Sequence, residues 1–253
     1  VLLTIETKHR PATDLGYLLA KHPDKCQTSS LAYGKAHVFY PEATGERCTA
    51  ALLLDFDPVG FVRGRRWRQD TEGILAHYVN DRPYAASSFL SVAIAQVFTS
   101  ALKGVSQDRQ DLADAQLPFE LSLFAVPGRG GEHFLRGLFE PLGYEVEAQR
   151  IPLDKAFPEW GEGNCFKLRL SANVRLADLL THLYVLIPVL DDQKHYWVGD
   201  DEVDKLLEKG GDWLKGHPMR ERITLRYLRS CLAKSVSAAT VPNWSLFPRF
   251  LVK

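Results

Sequence analysis

The chain has 253 residues, which at about 150 residues per domain allows one or two domains and a sizeable buried core. Its 45% hydrophobic and 25% charged content sits at the globular average and excludes long disorder, collagen-like repeats and a coiled coil. Lys and Arg number 31 and Asp and Glu number 31, so the whole molecule carries no field that recruits nucleic acid or anionic membrane, and any polyanion contact has to come from a local patch.

The opening LLTIET reads as a strand; it has too few successive apolar residues for the core of a signal peptide. Pro11 with Thr13 or Asp14 opens a helix in which Leu15, Leu18 and Leu19 recur at helical spacing until His22-Pro23. LAYGKAHVFY and CTAALLLDFD are strands separated by the loop PEATGER. From Ala85 to Leu102 almost every residue is apolar, which predicts a core helix buried on several sides. The polar connector SQDRQDLADAQLP marks a boundary between subdomains.

After it the pattern restarts. FELSLFAV is a strand, GGEHFLRGLFEPLG a helix stopped by Pro141 and Gly143, YEVEAQRI and NCFKLRLSANV are strands, and Leu176 to about Ile187 is an apolar helix. Each half thus spells βαββα, and a duplicated unit and two unrelated α+β layers both fit, because no residue-level repeat is present. The expected fold is α+β, with βαββα-like subdomains over residues 1–105 and 117–235, C-terminal helices, and an apolar tail over 236–253. Within the second half, a short helix is expected to start at Asp200 or Asp201, bury Val203, Leu206 and Leu207, and stop at Lys209-Gly210. A basic amphipathic helix follows, with Ile223, Tyr227 and Cys231 on one stripe and Arg222, Arg226 and Arg229 on another. No stretch reaches the ~20 apolar residues that span a bilayer.

Few motifs carry chemistry. Cys26, Cys48, Cys165 and Cys231 lie far apart and read as reduced thiols of a cytoplasmic protein. PGRGGEH imitates a nucleotide- or cofactor-binding turn, but its spacing is not GxGxxG, and a tight turn that starts a helix accounts for it. Arg63, Arg65 and Arg66 around Trp67 can hold phosphates and stack a base, as can the stripe Arg222, Arg226 and Arg229; a solvated loop and a solvated helix face are the rival readings. Asp191, Asp192, Lys194, His195 and Tyr196 combine an acid, a base and an aromatic, yet no nucleophile elbow completes them, which favours a contact loop over a catalytic one. No HExxH pair or similar spacing points to a metal.

Four segments, NDRPYAASSFLSVAIA (80–95), GRGGEHFLRGLFEPLGYEVEA (128–148), RLADLLTHLYVLIPVLDDQKHYWVGDDEV (175–203) and HPMRERITLRYL (217–228), resemble in order one family over about residues 2–230. It is the N-terminal half of the bacterial 3′-terminal RNA ribose 2′-O-methyltransferase of RNA-repair operons. The resemblance implies a chain that binds the ligase part of a bacterial polynucleotide kinase-phosphatase-ligase and promotes its self-adenylation, without catalysis or cofactor of its own. It also implies that the parent's methyltransferase half, which uses S-adenosylmethionine and a divalent metal, is absent, since no ExxEH motif occurs. Under this reading Asn80, Asp81, Arg82 and Tyr84, with Asp191, Asp192, Lys194, His195 and Tyr196, contact the ligase, in an assembly that can be a symmetric hetero-oligomer. The alternative is an RNA-binding module that presents 3′ ends to the methyltransferase through the arginine groups. The tail through VPNWSLFPRFLVK departs from the charged linker the family leads one to expect.

Overall fold

The computed structural model describes residues 1–57, 86–191 and 202–235, the side chains of Glu202 and of residues 229–235 excepted. The protein is α+β, with seven strands in one antiparallel sheet. In chain order the strands are β1 (Leu2–Thr7), β2 (Gln27–Leu31), β3 (Gly34–Ala43), β4 (Cys48–Phe56), β5 (Leu117–Pro127), β6 (Glu145–Pro152) and β7 (Glu162–Val174). The helices are α1 (Leu15–Leu19), α2 (Ser88–Val97), α3 (Thr99–Leu102), α4 (Gln110–Ala113), α5 (Gly131–Phe139), α6 (Leu176–Asp191), α7 (Glu202–Gly216) and α8 (Arg220–Ser235).

Strand order is β2-β3-β4-β1-β5-β7-β6, so the first half supplies four neighbours and the second half three. The halves meet where β1 pairs with β5, with Leu3 opposite Leu123, Ile5 opposite Leu121 and Thr7 opposite Phe119. Outward from that seam the pairings mirror one another: β1 with β4 and then β3, β5 with β7 and then β6. Each half therefore runs strand, helix, two strands, helix, as the sequence pattern predicts, with β2 as an extra strand in the first. The final helices of the two units, α2 and α6, pack on each other behind the sheet.

One hydrophobic core crosses the seam. Leu3, Ile5 and Leu52 from one half join Leu121, Leu168 and Leu179 from the other, all at most 1% exposed. Alternation produces it: in β5, Leu117, Phe119, Leu121 and Leu123 point inward and are buried, whereas Pro118 and Phe124 are exposed. The polar connector is fixed as well as polar. Arg109 pairs with Asp14, Ser106 Oγ donates to the carbonyl of Tyr17 at 3.2 Å, and Gln110 Nε2 donates to that of Gly104 at 2.9 Å.

Several expectations need correction. LAYGKAHVFY is a turn and a strand rather than one strand: it closes the β2–β3 hairpin, with Leu31 opposite Gly34. Gly34 sits at φ +147, and a Cβ there would lie 2.1 Å from the Asp55 carbonyl oxygen, which reserves the position for glycine. The apolar run 85–102 is interrupted at Phe98, which has φ −110 and ψ 38 and separates α2 from α3. α6 continues through Pro188 to Asp191, because Ile187, Pro188, Val189 and Leu190 are all buried and packing outweighs the lost N–H. α7 runs past Lys209-Gly210 and bends at Gly211 (φ 44). Its inward stripe is Leu206, Gly210 and Leu214, at four-residue steps; Leu206 is 2% exposed, but Val203 and Leu207 face outward at 45% and 54%.

Behind the sheet lies a polar knot. Tyr144 Oη and His182 Nδ1 are 2.9 Å apart, and Trp213 stands edge-on to the rings of both His182 and His217. His217 Nδ1 accepts from the Met219 amide at 3.0 Å, which leaves Nε2 to donate to the Leu138 carbonyl at 3.0 Å. Burial raises the Tyr144 phenol, so it stays protonated and we assign it as the donor to His182. Burial likewise pushes the His182 imidazole down to about 4, and lowers His217. Because the unfolded chain protonates His182 near 6.5 and the folded chain does so only near 4, the stability this neutral ring confers is complete above the first value and is lost as pH falls toward the second. The expected loss from this residue is about 3 kcal/mol, since each tenfold difference in proton affinity between the two states is worth about 1.4 kcal/mol. Urea unfolding at stepped pH should show that slope in the parent chain and a shallower one in His182→Gln.

Candidate partner-docking surface

A groove of about 450 Å³ lies at the end of the seam strands, lined by Glu6, Lys8, Phe119, Glu120, Glu145 and Ser171 among others. Register explains its acidity. Glu6 of β1 stands directly opposite Glu120 of β5, Glu120 opposite Ser171 of β7, and Ser171 opposite Glu145 of β6. Two like charges in a cross-strand pair repel, so each is matched from the side away from the other. Arg47 donates through Nε at 2.9 Å and Nη2 at 2.8 Å to the two oxygens of Glu6, a fork that raises its own pKa. Arg169 lies 3.1 Å from Glu120 and 3.6 Å from Glu147. Glu6 is only 8% exposed, so this compensation is structural before it is anything else.

Beyond the groove, the β6–β7 hairpin holds large apolar side chains in solvent. Leu153, Phe157 and Trp160 are 64%, 45% and 59% exposed, and the two aromatic rings stack at 4.6 Å with 13° between their planes. The loop is built rather than slack: Leu153 N–H donates to Gly161 O at 3.1 Å, Trp160 N–H to Phe157 O at 3.0 Å, and Ala156 N–H to Asp154 Oδ1 at 2.7 Å. A fixed, exposed Trp beside a Phe has the composition of an interface hot spot. The sequence does carry a signal here, three large apolar residues within a Pro- and Gly-containing turn, but pattern alone does not separate an exposed hairpin tip from a strand end.

Of the residues singled out from sequence, Asn80, Asp81, Arg82 and Tyr84, then Asp192, Lys194, His195 and Tyr196, and also Arg63, Arg65, Arg66 and Trp67, lie outside the described residues, as does the tail 236–253. Asp191 closes α6 and is buried at 5% exposure. Arg222 and Arg226 share one ring: their guanidinium carbons lie 4.4 and 4.1 Å from the centroid of Phe134. Arg226 Nη1 donates to the Arg129 carbonyl at 2.8 Å and the Val189 carbonyl at 3.2 Å, so part of its role is to tie α8 to the turn before α5 and to the end of α6. Arg229 lies one turn further along α8. The turn 127–133 starts α5, Gly131 N–H donating to Gly128 O at 2.9 Å. Cys48 is buried and its thiol is pushed up to about 11, which keeps it protonated at neutral pH. Among the described residues no group of three or more His, Cys, Asp or Glu can hold a metal, and no helix is long and apolar enough to cross a membrane.

A helix-backed antiparallel sheet with an acidic groove and an exposed aromatic hairpin defines the α+β class of this protein. The chain belongs to the family described as the RNA repair, ligase-Pnkp-associating region of Hen1, whose model matches residues 1–240. Two solved structures of the Pnkp1/Rnl/Hen1 RNA repair complex contain a similar fold. One is 14% identical, with a TM-score of 0.55 over 91% of this chain and 56% of its counterpart. The other is 12% identical, with a TM-score of 0.57 over 94% and 55%. The chain thus spans little more than half the length of those relatives. No curated protein matches it.

The paired carboxylates of the seam generate a mutational cycle. Arg47→Ala leaves the buried Glu6 carboxylate facing Glu120 without its fork and should lower the urea midpoint at pH 7; adding Glu6→Gln, which removes the charge, should restore part of it. Equal midpoints for the parent and Arg47→Ala would show that Glu6 is neutralised by other means.

Proposed function

We propose that this chain is a non-catalytic activator: it docks on the ligase part of a bacterial polynucleotide kinase-phosphatase-ligase and favours the form that adenylates itself, for the resealing of ribotoxin-cleaved RNA. The observation that carries this reading is the family match over residues 1–240, supported by the fixed aromatic hairpin at 153–161. Activation by docking requires only that the chain bind the competent ligase conformation better than the incompetent one. A hundredfold shift of that equilibrium takes about 2.7 kcal/mol of preference, which an interface of ordinary size supplies.

In this reading the chain contributes no cofactor and no reacting group, and works in the cytoplasm. S-adenosylmethionine and a divalent metal belong to the 2′-O-methyltransferase half of the parent, and two copies of the ligase and activator assemble symmetrically. The partner surface comprises the hairpin tip and the segments around residues 80–84 and 192–196; Asp191 itself is buried at the end of α6.

Incubating the purified ligase with radiolabelled ATP should give a stronger ligase-adenylate signal when this chain is added. An unchanged signal rejects the activator reading. The paired substitution Phe157→Ala and Trp160→Ala should weaken ligase capture by roughly tenfold or more, as for an interface hot spot, with the melting temperature unchanged because both rings are exposed.

A further inference from the structure

Among the described residues, six arginines are neutralised in place. Arg10 ends on Glu46, Arg47 on Glu6 and Glu42, Arg109 on Asp14 and Asp111, Arg136 on Glu132 and Glu140, Arg169 on Glu120 and Glu147, and Arg175 on Asp178. Arg129, Arg150 and Arg222 form no ion pair among the described residues, and all three gather around the turn 128–131.

Two aromatic rings floor the place. Gly128 lies so close to Phe166 that a Cβ would fall 2.1 Å from a ring carbon, and the guanidinium of Arg150 sits 5.0 Å over the same ring. Its Nη2 comes within 4.0 Å of where a Cβ on Gly131 would be. On the other flank Phe134 carries Arg222 and Arg226, while Arg226 grips the Arg129 carbonyl, so the exposed Arg129 is part of the same group. The nearest carboxylate along the turn, Glu132, is occupied by Arg136 at 2.7 Å. Cations held over rings have already lost much of their side-chain freedom, and guanidinium donors match phosphate oxygens in pairs.

We propose that Arg129, Arg150 and Arg222, with Arg226 fixing the turn beneath them, form a platform that binds the phosphate backbone of RNA. Three guanidiniums without a carboxylate partner among the described residues, gathered at one turn, suit a chain that repeats one negative charge per unit. In a protein of zero formal charge such a concentration creates a local positive field, and a local field is what contact with a polyanion requires. The platform goes beyond ligase docking and does not depend on it: ligase adenylation can respond whether or not RNA binds here.

The test is fluorescence anisotropy of the full chain with a labelled single-stranded RNA of about 12 nucleotides, first at about 50 mM and then at about 200 mM salt. The expected result is saturable binding that weakens steeply with salt, and a loss of roughly tenfold or more in affinity at the lower salt in the double variant Arg150→Ala, Arg222→Ala. Arg129→Ala, on the exposed turn, should show a smaller loss in the same direction. Arg220→Ala, which removes an arginine that donates to the Lys215 carbonyl at 3.2 Å, should bind as the parent does. Absence of binding by the parent at the lower salt, unchanged affinity in the double variant with an unchanged melting temperature, or displacement of the RNA by polyglutamate at equal charge would each overturn the assignment.

Discussion

The pairing of β1 with β5 is the constraint on which everything else rests. It joins strands more than a hundred residues apart, and it sets Leu3 against Leu123 and Ile5 against Leu121 so that one core serves both halves. Antiparallel side chains alternate with period two, so the register that aims these four inward also sets Glu6 against Glu120 on the far face. The acidity of the groove is therefore a by-product of the same pairing that builds the core, and Arg47 and Arg169 are the compensation that makes it tolerable. Backbone register, hydrophobic burial and surface electrostatics are three consequences of one alignment.

The charge balance of the molecule has a spatial form that the total conceals. Among the described residues, acids and bases pair off along the sheet and the connector. Against that background the guanidiniums over Phe134 and Phe166 stand out, as does the apolar tip of the β6–β7 hairpin. One of these features attracts charge and the other excludes water, and both lie in the second half of the chain. If both proposed contacts are made, this separation by physical type would let a protein partner and a polyanion use different side chains.

Much of the architecture is legible in the sequence, and the reasons are specific. Leu3 and Ile5, or Leu117 through Leu123, alternate cleanly because one side of each strand is buried, and the helix from Leu176 is marked by its dense apolar run. QTSSL does not announce itself as a strand, because β2 sits at the sheet edge, where no apolar alternation is required of it. The bend at Gly211 and the passage of α6 through Pro188 escape local reading because the rules for glycine and proline yield to packing partners distant in sequence. The site is less legible than the fold. Arg222 and Arg226 are visible as a stripe, but Arg129 and Arg150 join them only through the folded arrangement of the turn and β6, which sequence proximity does not encode. The residues around 80–84 and 192–196 rest on family likeness alone and lie outside the described structure.

The outermost strands carry a further implication. β2 is five residues long and rich in hydroxyls, and Thr28 Oγ1 is 2.9 Å from His37 Nδ1; β6 on the opposite margin offers Glu145, Glu147, Gln149 and Arg150 and finishes at Pro152. Short, polar, proline-ended margins are poor templates for a foreign strand, which penalises ribbon-like growth of the sheet and discourages fibrous self-association. Assembly is thereby steered toward the broad surfaces and the protruding hairpin, where recognition is written in side chains rather than in the repeating hydrogen bonds of a backbone that any extended peptide can supply.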